Sequence, residues 1–263
     1  MSASSAAIHV NVDVTNPGQF FACCGLLELA SRLSSEAQGW FEADHFHISE
    51  GPSLVDLIAA VTTAKLTQID PEDVTASPIL IEIPFALRLD WWKSGDRTTS
   101  DLKVWAGRME SFRIARAMQQ TMKAPAFSSE NLLNCGMVAY EADDPEKKVE
   151  PFYFDARRGP NAHSRDIGFS PNDLGLTTIA SPAVELLCLI GLQRVRPVSA
   201  GKPRLFDYYI WTQPLPVALA PVAAAGLLGS SAVWGYRFES WFRTGQRKHK
   251  AFLTAKPISN HHE

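Results

Sequence analysis

Cysteine is scarce in this chain, and the four that occur are Cys23, Cys24, Cys135 and Cys188. An adjacent pair and two isolated residues in apolar surroundings do not make a disulfide framework. Long hydrophobic runs are missing too. The longest candidate, residues 214 to 228, holds three prolines, so no membrane-spanning helix is expected. The start, "MSASSAAIHV", lacks the basic residues and apolar run of a signal peptide. Together these absences point to a reducing cytoplasmic compartment. The common chemical signatures are also absent. There is no G-x-x-x-x-G-K-[ST], no G-x-G-x-x-G, no G-x-S-x-G and no H-E-x-x-H. Nucleotide-loop, dinucleotide-fold, serine-hydrolase and zincin chemistry therefore have no foothold in the motifs, and no enzymatic activity or cofactor is expected.

What is present is an ordinary globular composition. The 263 residues are 46% hydrophobic and 20% charged, enough apolar mass for a sizeable core. The net charge of -3 hides an asymmetry. Residues 1 to 83 hold 11 acids against Arg32 and Lys65, and the remainder holds 23 bases against 17 acids. Such a split points to a polyanion partner for one side, or to two differently charged solvated faces.

Periodicity orders the chain as follows. Residues 8 to 14 alternate as a strand. "TNPGQFFACCGLLELASRLS" starts with Asn16 as cap and Pro17 at the first helical position, and its apolar residues cover most of the circumference. Gly25 in its middle suggests close backbone packing. Residues 40 to 49 read as one strand, 53 to 66 as an amphipathic helix and 78 to 92 as two strands broken near Pro84. Residues 102 to 123 read as one long helix. Its core stripe is Trp105, Met109, Phe112, Ala115, Met118 and Met122. "PFYFDARRG" looks like a strand ending in a basic turn, and residues 159 to 178 like a long functional loop. Ser181 and Pro182 open a second buried helix; residues 204 to 212 form a strand, and a helix follows Pro216. Two aromatic strands joined by "TGQRKH" close the chain. The fold class is α+β: a mixed or antiparallel sheet packed with several buried helices and ending in a β-hairpin. It is expected to form one domain over 1–263, with a candidate subregion boundary near residue 201.

Three basic clusters carry the functional signal. The first follows the pair Trp91–Trp92 and holds Lys93, Arg97, Lys103 and Arg108. The second holds Arg157, Arg158 and Arg165, continued by Lys202 and Arg204. The third holds Arg243, Arg247, Lys248 and Lys250. Each is a glycine-associated loop beside aromatic residues, the pattern that presents cations to phosphates. At least one tryptophan of the adjacent pair is expected in the core, because neighbours on a strand point to opposite faces, leaving the other to cover a second surface or to stack on a base. Other groupings are weaker. His45 and His47 share a strand face without a supporting cysteine or second histidine pair, so no metal is expected. Asp155, Asp166 and Asp173 are the only carboxylates from which a metal-dependent nuclease could be built, and they sit among arginines.

Two stretches resemble a known family. "VDVTNPGQFFACCGLLELASRLSSEAQGWF" and "FALRLDWWKSGDRTTSDLKVWAGRMESFRIARAM" are similar to the short form of the CRISPR-associated large subunit in type I, subtype I-U (also called I-G), Cascade effector complexes. The matching strings cover about 65 residues, a quarter of the chain. The resemblance implies a non-enzymatic nucleoprotein subunit in antiviral defence. Its partners would be guide RNA, target DNA, the other Cascade subunits and a separate helicase-nuclease. It would help recognise the protospacer-adjacent motif. The chain is short and ends in an expected hairpin rather than a helical bundle, so lining the displaced strand would fall to a separate small subunit. A subunit that only assembles with proteins, without touching nucleic acid, is the alternative.

Overall fold

Asn16 begins the helix on which the rest is built. Its Oδ1 accepts from the Gly18 amide at 3.1 Å, satisfying one of the free donors of helix α1 (Pro17–Leu33). The same oxygen accepts from Ala156 N at 3.1 Å, and Asn16 Nδ2 donates to Asp155 at 2.7 Å. One side chain thus caps the helix and ties it to a segment 140 residues away. Every residue of α1 from Pro17 to Ala30 is buried, as its all-round apolar pattern requires.

The computed structural model describes residues 7–94, 98–158, 179–229, 234–243 and 247–258. Before and after α1 come strands β1 (Ile8–Asn11), β2 (Gln38–Glu42) and β3 (His45–Ser49), then helix α2 (Leu54–Thr63). Short strands β4 (Leu66–Gln68), β5 (Ile79–Ile81), β6 (Leu87–Leu89), β7 (Lys93–Ser94) and β8 (Thr98–Thr99) precede α3 (Ser111–Thr121). Two 3-10 turns, β9 (Ala139–Glu141) and β10 (Asp144–Val149) lead to α4 (Pro182–Arg194). The last part holds β11 (Val198–Ser199), β12 (Leu205–Ile210), β13 (Leu215–Pro216), α5 (Ala220–Ala224), β14 (Trp234–Phe242), β15 (Lys250–Phe252) and β16 (Lys256–Pro257).

The described strand pairs are antiparallel. One sheet runs β1-β3-β2-β13, a second β4-β5-β6, and a third β11-β12-β14-β15 with β16 also on β14. The fold is α+β, and β14 with β15 forms the C-terminal hairpin. No described helix is long and apolar enough to cross a membrane.

Helices α1 and α4 cross at the centre through two glycines. A Cβ on Gly25 would lie 2.1 Å from Leu187 O, and one on Gly191 would lie 1.9 Å from Phe21 O. Their side of the core is continuous with the sheets, in one cluster from Ile8 to Ala255.

The structure departs from the sequence expectations at several points. Residues 40–49 are not one strand: Ala43, at φ 52°, turns the chain between β2 and β3. The helix expected from residue 102 starts only at Ser111, because Gly107 at φ 62° breaks the path; Trp105 and Met109 are packed from non-helical chain. "PFYFDARR" is buried for most of its length but joins no ladder; the amides of Phe154 and Asp155 donate instead to the Glu185 carboxylate at 3.3 and 3.1 Å. Ser181 precedes α4 without capping it through its side chain, and the helix after Pro216 is only the short α5. The loop 159–178 lies outside the described residues.

Candidate nucleic-acid interface

Three tryptophans form a rigid base beneath the first basic loop. Trp91, Trp92 and Trp105 are 2%, 0% and 1% exposed and meet edge to face at centroid distances of 5.4–5.9 Å. Each indole N–H reaches a carbonyl: Leu189 O at 2.9 Å, Ala76 O at 2.8 Å and Thr75 O at 2.8 Å. Both members of the adjacent pair are therefore interior. The strand alternation that would turn one outward does not apply, since β6 ends at Leu89 and both residues lie in a turn.

The charges above this base are mostly answered from within. Lys93 Nζ sits 3.5 Å from Asp70 and 3.2 Å from Asp73. Lys103 is only 9% exposed, with its ammonium 5.3 Å over the Trp105 ring. Burial lowers its pKa, and the Asp73 carboxylate works against that. Arg97 lies outside the described residues.

The third cluster is sewn onto the first. Lys250 N donates to Val104 O at 2.9 Å and Lys250 Nζ to Asp101 O at 2.7 Å. Arg243, which begins the hairpin turn, is buried. Its guanidinium lies 3.5 Å over the Tyr153 ring, and Nε donates to Lys250 O at 2.9 Å. Arg243 is thus a brace for the turn rather than an offered charge, and burial works against its charged form.

Arg204 arrives from the turn between β11 and β12 at φ 63° and stacks over Trp241 and Phe242, 5.3 and 4.7 Å from their centroids. Trp241 is 46% exposed. The Lys250 ammonium is destabilised by burial, favoured by Asp101, and disfavoured by Arg204 and Lys103. Lys250 therefore feels the charges of Arg204 and Lys103, which come from two other loops.

Lys248 and His249 of the hairpin also line a cavity of about 580 Å³. Met109, Ile114 and Val149 supply its apolar lining; Arg108, Arg113, Lys148 and Lys248 supply cations, and Glu110 and Glu150 supply acids. Arg113 is paired with Glu141. His249, also in the lining, has its pKa lowered by burial and by Arg243, with Glu150 opposing and Lys248 adding to the fall. Its Nδ1 is buried without a hydrogen-bond partner among the described residues. Lys148 and Arg113 are not residues that the sequence singles out: they sit in "EKKVE" and on α3, where charge reads as solvation.

The second cluster does not hold together. Arg157 is structural: it bonds both oxygens of buried Asp155, at 2.9 and 2.7 Å, plus Asn134 at 2.9 Å and Leu133 O at 2.8 Å. Arg158 is half-buried beside Gly136. Lys202 and Arg247 are exposed on turns, and Arg165 lies outside the described residues. Asp155 is the acid of the Arg157 pair and is 0% exposed, while Asp166 and Asp173 also lie outside the described residues. Among the described residues no group of three or more His, Cys, Asp or Glu side chains is placed to hold a metal ion.

The arrangement offers fixed cations, one half-exposed indole and a cavity lined by cations, all involving residues of one hairpin. Such a surface can neutralise phosphates and stack a base. No family model, no curated protein and no solved structure matches the chain.

Proposed function

We propose that the chain is a non-enzymatic, nucleic-acid-binding subunit of a CRISPR RNA-guided antiviral surveillance complex. In this reading it works in the cytoplasm with guide RNA, target DNA, the other Cascade subunits and a separate helicase-nuclease, and helps recognise the protospacer-adjacent motif. The observation that carries the binding half is the Arg204 guanidinium held over the half-exposed Trp241 ring and over Phe242, on the strand that pairs with Lys250. A guanidinium presented on a half-exposed indole, with no ion pair among the described residues, is explained by an anionic partner. The complex itself is supported by the resemblance of the two N-terminal stretches.

The test is target-DNA binding by the assembled complex as a function of salt. Arg108→Ala with Lys248→Ala removes two exposed cations that form no ion pair among the described residues, and Arg204→Ala removes the guanidinium over Trp241. Binding should weaken across sequences, with the salt slope falling by about 0.7–0.9 for each phosphate that is no longer neutralised. Folding should be kept for the first variant, since removing exposed charge changes stability by about 0.5 kcal/mol or less.

Unchanged affinity and slope in a complex that still assembles would favour the assembly-only reading. That reading has its own observation: Leu227 and Trp234 are 73% and 66% exposed, and the glycines next to them, Gly226 and Gly235, both lie against the Tyr209 ring.

A further inference from the structure

The outward face of the β1-β3-β2 sheet carries three histidines, and strand register brings two of them together. β1 pairs with β3 so that His9 lies opposite His47. Their neighbours Ile8, Val10, Phe46 and Ile48 are buried on the other face, so both imidazoles project away from the core. His9 Nδ1 and His47 Nδ1 stand 3.3 Å apart. That is within hydrogen-bond reach, slightly beyond the 2.7–3.2 Å usual for N–H···O bonds. It matches the bite of a chelated metal: two nitrogens at about 2.0–2.1 Å from a tetrahedral ion are about 3.3 Å from each other.

The surroundings hold both rings in that pose. The far nitrogen of His47, Nε2, lies 3.7 Å from the Glu42 carboxylate, beyond a direct hydrogen bond but near enough to favour a cation on that ring. Trp40 stacks on the His47 ring at 5.1 Å and 13°. His45 packs on His9 at 4.2 Å, and its own Nδ1 is engaged by Asp44 at 2.7 Å. His45 and Trp40 therefore act as walls on either side of the pair.

We propose that His9 and His47 form a two-histidine chelate for a divalent transition metal of the imidazole-preferring class, Zn²⁺ or Cu²⁺. Two protein nitrogens leave the remaining positions to water, so the site is exchangeable and open rather than a closed structural centre. It is separate from the basic hairpin and independent of the nucleic-acid reading.

The experiment is calorimetric titration of the full chain with ZnCl₂, with MgCl₂ as the hard-cation comparison, and electron paramagnetic resonance of the Cu²⁺-loaded protein. His9→Gln and His47→Gln are mild changes on an outward sheet face; His249→Gln, in the basic cavity, is the control. The proposal expects one Zn²⁺ site absent with Mg²⁺, weakened at least about tenfold by either sheet variant and unaffected by the control. The Cu²⁺ spectrum should show two nitrogen ligands in the wild type and lose one in each sheet variant. No Zn²⁺ binding, equal binding of Mg²⁺, or Zn²⁺ binding that survives in the His9→Gln/His47→Gln double variant would overturn it. The last result would assign the metal to other histidines and leave the pair as a hydrogen bond.

Discussion

Gly191→Ala is a substitution whose sign tests the central packing. Judged from helix propensity alone it should stabilise the protein, since alanine is favoured over glycine inside a helix by about 1 kcal/mol. The structure requires the opposite. The new Cβ would lie 1.9 Å from Phe21 O and 3.0 Å from Phe21 C on the facing helix. Both obstructing atoms are backbone, so no rotamer change relieves the clash. To reach even 3.0 Å, α1 and α4 must part by about 1 Å. A gap of that size forfeits roughly a quarter to a half of the dispersion energy between atoms that face each other across it. Leu26, Leu187 and Ile190, all at 0% exposure, are among the side chains whose packing would loosen. Overpacking costs of about 1–3 kcal/mol are typical where side chains can yield. With backbone against backbone the upper end applies, so a cost of about 3 kcal/mol stands against a gain of about 1 kcal/mol. The net of about 2 kcal/mol should lower the melting temperature by roughly 4–8 °C for a chain of this size. Urea unfolding followed by far-UV circular dichroism provides the measurement. An unchanged or raised midpoint would refute the glycine crossing.

Two further predictions concern the buried charges. Arg157→Ala should destabilise the fold by roughly 3 kcal/mol rather than weaken nucleic-acid binding selectively, because it leaves the Asp155 carboxylate buried without its cation; a normal denaturation midpoint would show that Arg157 is an offered charge after all. Glu185 is pushed up to about 8 by burial, with the Asp155 carboxylate raising it further and backbone amides opposing. A folded pKa above the unfolded one means that this group's contribution is most favourable below about 4.5, falls as pH rises to about 8, and is flat beyond. Glu185→Gln should therefore flatten the pH dependence of stability in that window, by at most one proton, about 1.4 kcal/mol per pH unit. Parallel curves for wild type and variant, from urea midpoints at about pH 5 to 8, would show that Glu185 ionises normally.

Local signals were legible where the partner was local. Asn16 followed by Pro17 announces α1, and its Oδ1 does cap the helix. Ser181–Pro182 announces α4 just as well, yet Ser181 provides no side-chain cap, so the proline and the apolar body carried that reading. The β2–β3 turn was hidden because Ala43–Asp44 lacks the glycine or asparagine that usually signals a left-handed turn residue. The spacing of Trp105, Met109 and Phe112 fits a helix, but Trp105 is held by a hydrogen bond to Thr75 O and Arg243 reaches Met109 Sδ at 3.5 Å. Residues can share a core at helical spacing without forming one helix. "PFYFDARR" has strand composition, but its amide partners come from Glu185, thirty residues on, which no local pattern reveals. The His9–His47 pair likewise exists only through register.

The charge asymmetry along the chain left two readings open, a polyanion partner or two solvated faces, and its meaning changes once pairing is known. Some acids of the first third are matched within the fold by bases of the remainder. Glu28 is buried and binds Arg194 as well as Arg32, and Asp70 and Asp73 answer Lys93. Acids of the first third thus neutralise bases of the second part directly, and Glu28 does so across 166 residues. Within the basic part, Asp155 removes Arg157, and Asp207 removes Arg237 through bonds of 2.7 Å. Among the cations that no carboxylate reaches within the described residues are Arg108, Lys148 and Lys248 around the cavity, and Arg204 and Lys250 beside the hairpin. A count of charges in sequence treats all of these as equivalent. What separates them is whether a carboxylate lies within about 4 Å, because an ion pair at that range screens the cation from a distant phosphate while an unpaired one contributes its full field. Charge removal at Arg157 and at Arg108 with Lys248 should therefore separate cleanly, the first read in stability and the second in the salt dependence of binding.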